Sequence, residues 1–241
     1  MYSEQSEIKF PNDIEQRLKE VFDRFKPCSM FVYGSYAVGN NKPTSDVEIG
    51  IVFDNDNRPK HSDIKKFTNH DKISIYPFLK SDLEHHKIDT PFERRILIHS
   101  WIIGGATTLH GEKLIENLKK PVLKDEHFLH DTFYNLGMAC SAFQIRRDGR
   151  AIELANELIY KSCFYTLRNL LRLKTNEFIL HYDTVWKKSK SLSIPDEYHE
   201  LIDTCNAWRT NNETTIDEKL FLKNVSFINK FAIPQFEKGA K

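Results

Sequence analysis

Residues 31–53 read FVYGSYAVGNNKPTSDVEIGIVF, a segment in which two apolar runs flank a loop. The short apolar run at residues 30–33 predicts a buried strand that ends at Gly34-Ser35. Residues 47–53 predict a second strand, because apolar and polar residues alternate along it. The segment between them is rich in turn-forming residues, which predicts a loop that returns the chain alongside the first strand.

Two carboxylates stand two residues apart at the second predicted strand. Asp46 and Glu48 therefore project from one face, where their charges repel each other unless a cation lies between them. Oxygen ligands of this kind suit Mg²⁺, which binds one or two carboxylates together with substrate phosphates. Gly34-Ser35 offers a tight turn whose backbone N–H groups and hydroxyl can approach a phosphate closely. This combination is typical of phosphoryl or nucleotidyl transfer.

The spacing of these residues, with ten residues between Ser35 and Asp46, resembles the signature of nucleotidyltransferases of the DNA polymerase β superfamily. The layout is most similar to the aminoglycoside (kanamycin-type) nucleotidyltransferases, which open with a helix and a strand ending Tyr-Gly-Ser. The resemblance implies a mixed twisted sheet, one or two Mg²⁺ ions on Asp46 and Glu48, and an NTP, expected to be ATP. It implies that an acceptor hydroxyl attacks the α-phosphate and releases pyrophosphate. The expected nucleotide-binding residues at the turn and loop are Gly34, Ser35 and Ser45.

The remainder of the chain predicts a third strand and a helical back half. A helix is predicted over residues 12–26, capped by Asn12 or Asp13, and a strand over residues 72–78. Further helices are predicted over residues 91–103, 126–147, 150–174, 196–209 and 216–231, with Thr215 capping the last. We therefore expect an α/β (α+β) protein, with a nucleotidyltransferase domain at 1–122 and an all-helical domain at 123–241.

Two acids that the resemblance implies are missing from their expected places. The third predicted strand carries Ser74 where the family usually has a third carboxylate, which leaves a second metal ion open. The alternation of the strand turns Asp71 away from Asp46. The helix expected to supply a general base has no glutamate after Glu126. The remaining candidate bases, each of which also fits a solvated helix charge, are Glu153, Glu157 and Asp131.

Arg168 and Arg172 lie four residues apart on one predicted helix. In the family that the chain resembles, a cation of the helical domain often meets the triphosphate, so either arginine is a candidate nucleotide contact. The alternative is an ordinary amphipathic helix with a basic solvent face. Lys42 and Lys72 are weaker candidates for phosphate contacts.

Charge and composition narrow the class of partner. The formal net charge is +1, from 35 basic and 34 acidic residues, which gives no reason to expect bulk nucleic-acid binding. The four cysteines are scattered and fit a reducing compartment. No secretory signal is visible, and no apolar stretch approaches the ~20 residues that span a bilayer. We expect a cytoplasmic protein without membrane contact, and leave a homodimer open.

Three functions are compatible with the sequence. The favoured one is Mg²⁺-dependent transfer of a nucleoside monophosphate from an NTP to a hydroxyl of an unknown small molecule. An aminoglycoside acceptor is weakened because the helical half carries about as many bases as acids. The alternatives are a protein adenylyltransferase, like the minimal nucleotidyltransferase antitoxins, and a nucleotide-binding protein with weak or no turnover.

Overall fold

The structure of the chain is a computed structural model, which describes residues 8–41, 45–55, 57–88, 95–211 and 216–239. Contacts within the chain divide it into two compact units, Met1–Val122 and Leu123–Lys241. The domain boundary that we predict after residue 122 stays our proposal. No described helix is long and apolar enough to cross a membrane.

The first unit is built on a four-stranded mixed sheet. The strands are β1 (Ser29–Tyr33), β2 (Val47–Phe53), β3 (Ile73–Leu79) and β4 (Thr107–Gly111). Their order is β3-β2-β1-β4; β1 is antiparallel to β2 and β4, and β2 is parallel to β3. The helices of this unit are α1 (Asn12–Phe25), α2 (Gly34–Val38), α3 (His61–Thr68), α4 (Lys80–Glu84), α5 (Arg95–Ile103) and α6 (Leu114–Asn117). The predicted mixed sheet with flanking helices is confirmed.

Each face of the sheet is covered by a different set of helices. On one face, apolar residues of β1, β2 and β3 such as Val32, Ile49 and Ile75 pack against α1 and α3. On the other face, Phe31 and Val52 pack with residues of α4, α5 and α6. Because successive strand residues point to opposite faces, this two-sided burial fixes the face to which every side chain of β2 points.

The start of α1 differs from the prediction. Asn12 and Asp13 both lie inside the helix, so neither is its cap; Pro11 precedes it, and the Pro11 carbonyl accepts hydrogen bonds from the N–H groups of Ile14 and Glu15. Proline suits this place because it has no N–H to leave unpaired and its φ is already near the helical value. The helix ends at Phe25, after which Lys26 adopts a left-handed conformation.

The second unit is helical, as predicted. Its helices are α7 (Asp125–Arg147), α8 (Ile152–Thr175), α9 (Tyr182–Ser189), α10 (His199–Asn211), α11 (Glu218–Ser226) and α12 (Ile233–Gly239), with a π-helical segment (Phe227–Ala232) joining the last two. The helix predicted over 216–231 is therefore the front of a longer helical stretch. Asp217 caps α11 by accepting from the Lys219 N–H. Thr215, the predicted cap, lies outside the described residues, as do residues 91–94 of another predicted helix.

Candidate active site

Asp46 and Glu48 lie at the beginning of β2, on the side of the sheet opposite α1 and α3. Asp46 immediately precedes the strand and is exposed, while Glu48 is its second residue and is half-buried. The residues that alternate with them, Val47 and Ile49, are fully buried against the helices of the other face. The apolar alternation of β2 therefore directs the carboxylates to the opposite face. We call the side of the sheet that carries Glu48 and Ser74 the carboxylate face.

Ser74 contacts Asp46 directly. The parallel register of β2 and β3 pairs Glu48 with Ser74, and the Ser74 hydroxyl donates a hydrogen bond to Oδ2 of Asp46 at 2.7 Å. Ser74 therefore lies beside the two carboxylates, at the position where the sequence resemblance implies a third one. Asp71 precedes β3 in an exposed turn.

Gly34 lies directly against Glu48. Its φ is +71°, in the left-handed region that glycine adopts without cost. A Cβ at this position would lie 1.7 Å from Oε2 of Glu48 and 2.7 Å from its Cδ, far inside contact distance. Gly34 begins α2 right at the end of β1, and the Ser35 carbonyl accepts the Asn40 N–H at 2.9 Å, which closes the turn. The Gly-Ser turn therefore lies directly beside the side chain of Glu48.

An aromatic residue, Tyr33, lies next to Glu48 in the sheet. Tyr33 pairs with Glu48 across β1 and β2, and its ring centroid lies 4.8 Å from that of Trp101 on α5. Burial, and then the nearby charge of Glu48, raise the pKa of the Tyr33 phenol well above its usual range. Tyr33 is therefore a neutral neighbour of the carboxylates. Sequence reasoning did not single it out, although its place directly before Gly34 was a usable signal.

A second tyrosine, Tyr76, lies on β3, the strand at the edge of the sheet. It shares the carboxylate face with Ser74, two residues earlier on β3, and is 42% exposed. Its ring stacks on that of His61, with the centroids 4.8 Å apart and the planes 7° from parallel. Sequence reasoning did not identify this pair, because His61 belongs to the helix that precedes the strand.

Two of the predicted nucleotide-binding residues, Ser45 and Lys72, precede the strands β2 and β3. Ser45 precedes Asp46 and is half-buried. The Lys72 carbonyl accepts the Val47 N–H at 2.7 Å, so the pairing of β2 with β3 already begins one residue before β3. Lys42 lies outside the described residues. Their predicted role in binding nucleotide stays a prediction.

Arg168 and Asp131 meet inside the helical unit. Arg168 on α8 is 9% exposed, and its Nη2 lies 3.9 Å from Oδ2 of Asp131 on α7. Its guanidinium also lies over the rings of Tyr165 and Phe178, at 4.7 and 4.9 Å from their centroids. The Asn169 amide donates to the same Asp131 oxygen at 3.0 Å. Asp131 is consequently not a solvated helix charge, and Arg168 does not belong to a basic solvent face.

The remaining predicted residues of the helical unit lie nearer the surface. Arg172 is half-buried and lies 5.2 Å from the centroid of the Phe128 ring. Glu153 is exposed, and Glu157 forms an ion pair with Lys161 one helical turn away. None of these contacts tests whether Arg168, Arg172 or a glutamate serves the nucleotide, so those roles stay predictions.

The donor set at Asp46 fits a hard cation. Two carboxylates and a hydroxyl offer oxygen atoms of the kind that Mg²⁺ prefers, and Gly34 leaves room for Glu48 where a side chain would displace it. Across the described ranges, no group of three or more His, Cys, Asp and Glu side chains could hold a metal ion.

Comparisons with known proteins agree with this geometry. Residues 14–98 match the family model of the nucleotidyltransferase domain. The crystal structure of spectinomycin adenyltransferase AAD(9) from Enterococcus faecialis, with ATP and spectinomycin, matches over 91% of this chain and 96% of that chain. The TM-score is 0.60 and the sequence identity is 14%. No curated protein gives a significant sequence match. Residues 14–98 are therefore similar to a nucleotidyltransferase domain, and the chain shares the fold of the spectinomycin adenyltransferase structure.

Proposed function

We propose that the chain transfers a nucleoside monophosphate, with ATP as the favoured donor, to a hydroxyl of a small-molecule acceptor in a Mg²⁺-dependent reaction. The observation that carries this proposal is the close approach of the Gly34 turn to Glu48, with Asp46 two residues before it on the same face. Nucleotidyl transfer needs phosphates and carboxylates to be held together, and their mutual repulsion requires a cation between them.

Asp46 and Glu48 would hold the cation, which would neutralise charge on the phosphates of the donor and on the leaving pyrophosphate. Gly34 and Ser35 begin α2, and the first N–H groups of a helix have no partner inside it. These N–H groups and the Ser35 hydroxyl are suited to the phosphate oxygens. Their part in the reaction is to position the donor.

In the transfer step, the acceptor oxygen forms a bond to the α-phosphorus, and the bond from that phosphorus to the bridging oxygen of pyrophosphate breaks. The proton of the acceptor hydroxyl is released to water, so the products are the nucleotidylated acceptor, pyrophosphate and one proton. A small-molecule acceptor is supported by the structural neighbour, which was crystallised with ATP and spectinomycin. At 14% identity this likeness shows the fold alone, so the small-molecule acceptor of this chain is part of our proposal.

A nucleotide-binding protein with little or no turnover is the second candidate. The observation that favours it is Ser74, a neutral residue hydrogen-bonded to Asp46 at the place where the sequence resemblance implies a carboxylate. Binding and turnover separate the two candidates.

The test is incubation with ATP labelled at the α-phosphate, with Mg²⁺ or Mn²⁺, and with a panel of aminoglycosides, other hydroxylated small molecules and proteins. Label transfer to a small molecule with release of pyrophosphate supports the proposal, and transfer to a protein supports the adenylyltransferase alternative. Saturable ATP binding without transfer across the panel favours the binding protein. Loss of both activities in Asp46→Asn assigns them to this site.

A further inference from the structure

The residues that flank Glu48 in the sheet carry no charge. On β1 its register partner is Tyr33, and on β3 its partner is Ser74. A phenol and an aliphatic hydroxyl contribute no negative charge at neutral pH. Of the four residues Tyr33, Asp46, Glu48 and Ser74, two supply a carboxylate and two supply a hydroxyl group.

The Ser74 hydroxyl is committed to Asp46. At 2.7 Å it donates a charge-assisted hydrogen bond to Oδ2 of Asp46. This bond restricts the rotation of the carboxylate and uses one of the lone pairs of Oδ2. An acidic side chain in place of Ser74 would instead face Asp46 at about the distance of a hydrogen bond. Like charges at that distance need either a shared proton or a further cation.

We propose that Ser74 makes this a one-ion site, in which a single divalent cation is bound by Asp46 and Glu48 together with the phosphates of the nucleotide. Ser74 acts as a positioning residue, because it holds Asp46 by its hydrogen bond and withholds the charge that a second ion would require. This inference rests on the proposed function and specifies how many metal ions its site takes.

The test counts ions by native mass spectrometry of the full chain with Mn²⁺ and AMPCPP, an ATP analogue that cannot be cleaved between the α- and β-phosphates. The wild-type complex is expected to carry one nucleotide and one Mn²⁺, and S74A the same. S74D is expected to carry one nucleotide and two Mn²⁺. The matched control is S141D, which adds an acid at an exposed serine of α7 and should keep one ion.

Two outcomes overturn the one-ion assignment: a wild-type complex with two Mn²⁺ ions, or an S74D complex that still holds one. The wild-type count is decisive by itself if S74D fails to fold. A chain that binds neither AMPCPP nor Mn²⁺ contradicts the proposed function, and removes this inference with it. The experiment therefore distinguishes a wrong ion count from a wrong proposed function.

Discussion

The Cβ atom that Gly34 lacks would lie 1.7 Å from Oε2 of Glu48. Gly34 is consequently required both for its left-handed backbone, with φ at +71°, and for the space it leaves to the carboxylate. The left-handed conformation affects the stability of the fold, whereas the space beside Glu48 affects the position of a proposed metal ligand.

Gly34→Ala should abolish stabilisation by Mg²⁺ and ATP, because the new methyl group displaces Glu48. Gly39→Ala is a matched control, since Gly39 has φ +73° and nothing lies within 4 Å of its missing Cβ. The control should lose only about 1–2 kcal/mol of unfolding free energy, from backbone strain. Urea unfolding with and without the ligands measures both effects. If Gly34→Ala and Gly39→Ala lost the same amount of stabilisation by Mg²⁺ and ATP, the assigned role of Gly34 would be contradicted.

Asp46→Asn should lose most of the thermal stabilisation that Mg²⁺ and ATP give to the wild type. The substitution removes a charge, yet the amide oxygen can still accept the Ser74 hydrogen bond, so the local fold should persist. A ligand at about 100 times its Kd adds about 2.7 kcal/mol to the free energy of unfolding. Asp63→Asn, at an exposed position of α3, should keep the full shift. Identical shifts in all three proteins would rule out the site.

Asp131→Asn should destabilise the helical unit by about 3 kcal/mol, because it leaves the Arg168 charge buried without its carboxylate partner. Replacing Arg168 by Met in the same protein should recover part of the loss, since the unpaired charge is then removed. Asp148→Asn, which breaks an exposed pair with Arg147, should change the unfolding free energy by less than about 0.5 kcal/mol. Chemical denaturation measures the unfolding free energy of the three variants. A small change in Asp131→Asn would show that the ion pair of Asp131 and Arg168 contributes little to stability.

Cys140 should react with iodoacetamide faster than Cys28 at pH 8. Cys140 is exposed, whereas burial, and then the charges of Asp54 and Glu112, raise the pKa of the Cys28 thiol to about 11. About one Cys28 side chain in a thousand is then a thiolate at pH 8, and its labelling rate should rise about tenfold per pH unit up to pH 10. Peptide mass spectrometry follows each site, and Cys140→Ser should abolish the fast phase. A fast, pH-independent reaction of Cys28 would contradict the shift.

Local pattern predicted the strands of the site well. Residues 47–53 form β2 with the predicted bounds, because Val47, Ile49 and Ile51 recur at every second position and pack together on one face of the sheet. The resemblance to the family placed Ser74 at the position of a third carboxylate, and its hydrogen bond to Asp46 agrees with that placement. The parallel pairing of β2 with β3 required the three-dimensional structure, since no local pattern specifies which strands are neighbours.

Sequence reasoning failed where partners are distant in the chain. Arg168 has the helical spacing of a surface residue, but Asp131 and Phe178 come from other segments and enclose it. The helix α9 was not predicted, because its eight residues are too few to show a clear apolar period. The placement of Tyr33 against Trp101 likewise depends on a helix far along the chain.

The position of β3 at the edge of the sheet has an evolutionary consequence. Within the described ranges, β2 is the one strand that pairs with β3, and Ser74 contacts Asp46 through its side-chain hydroxyl. Exchanging a neutral for an acidic residue there would leave the backbone pairing in place while altering the charge available to cations. Under the one-ion proposal, the metal requirement of such a protein can change in a single mutational step, without any rebuilding of the sheet that carries it.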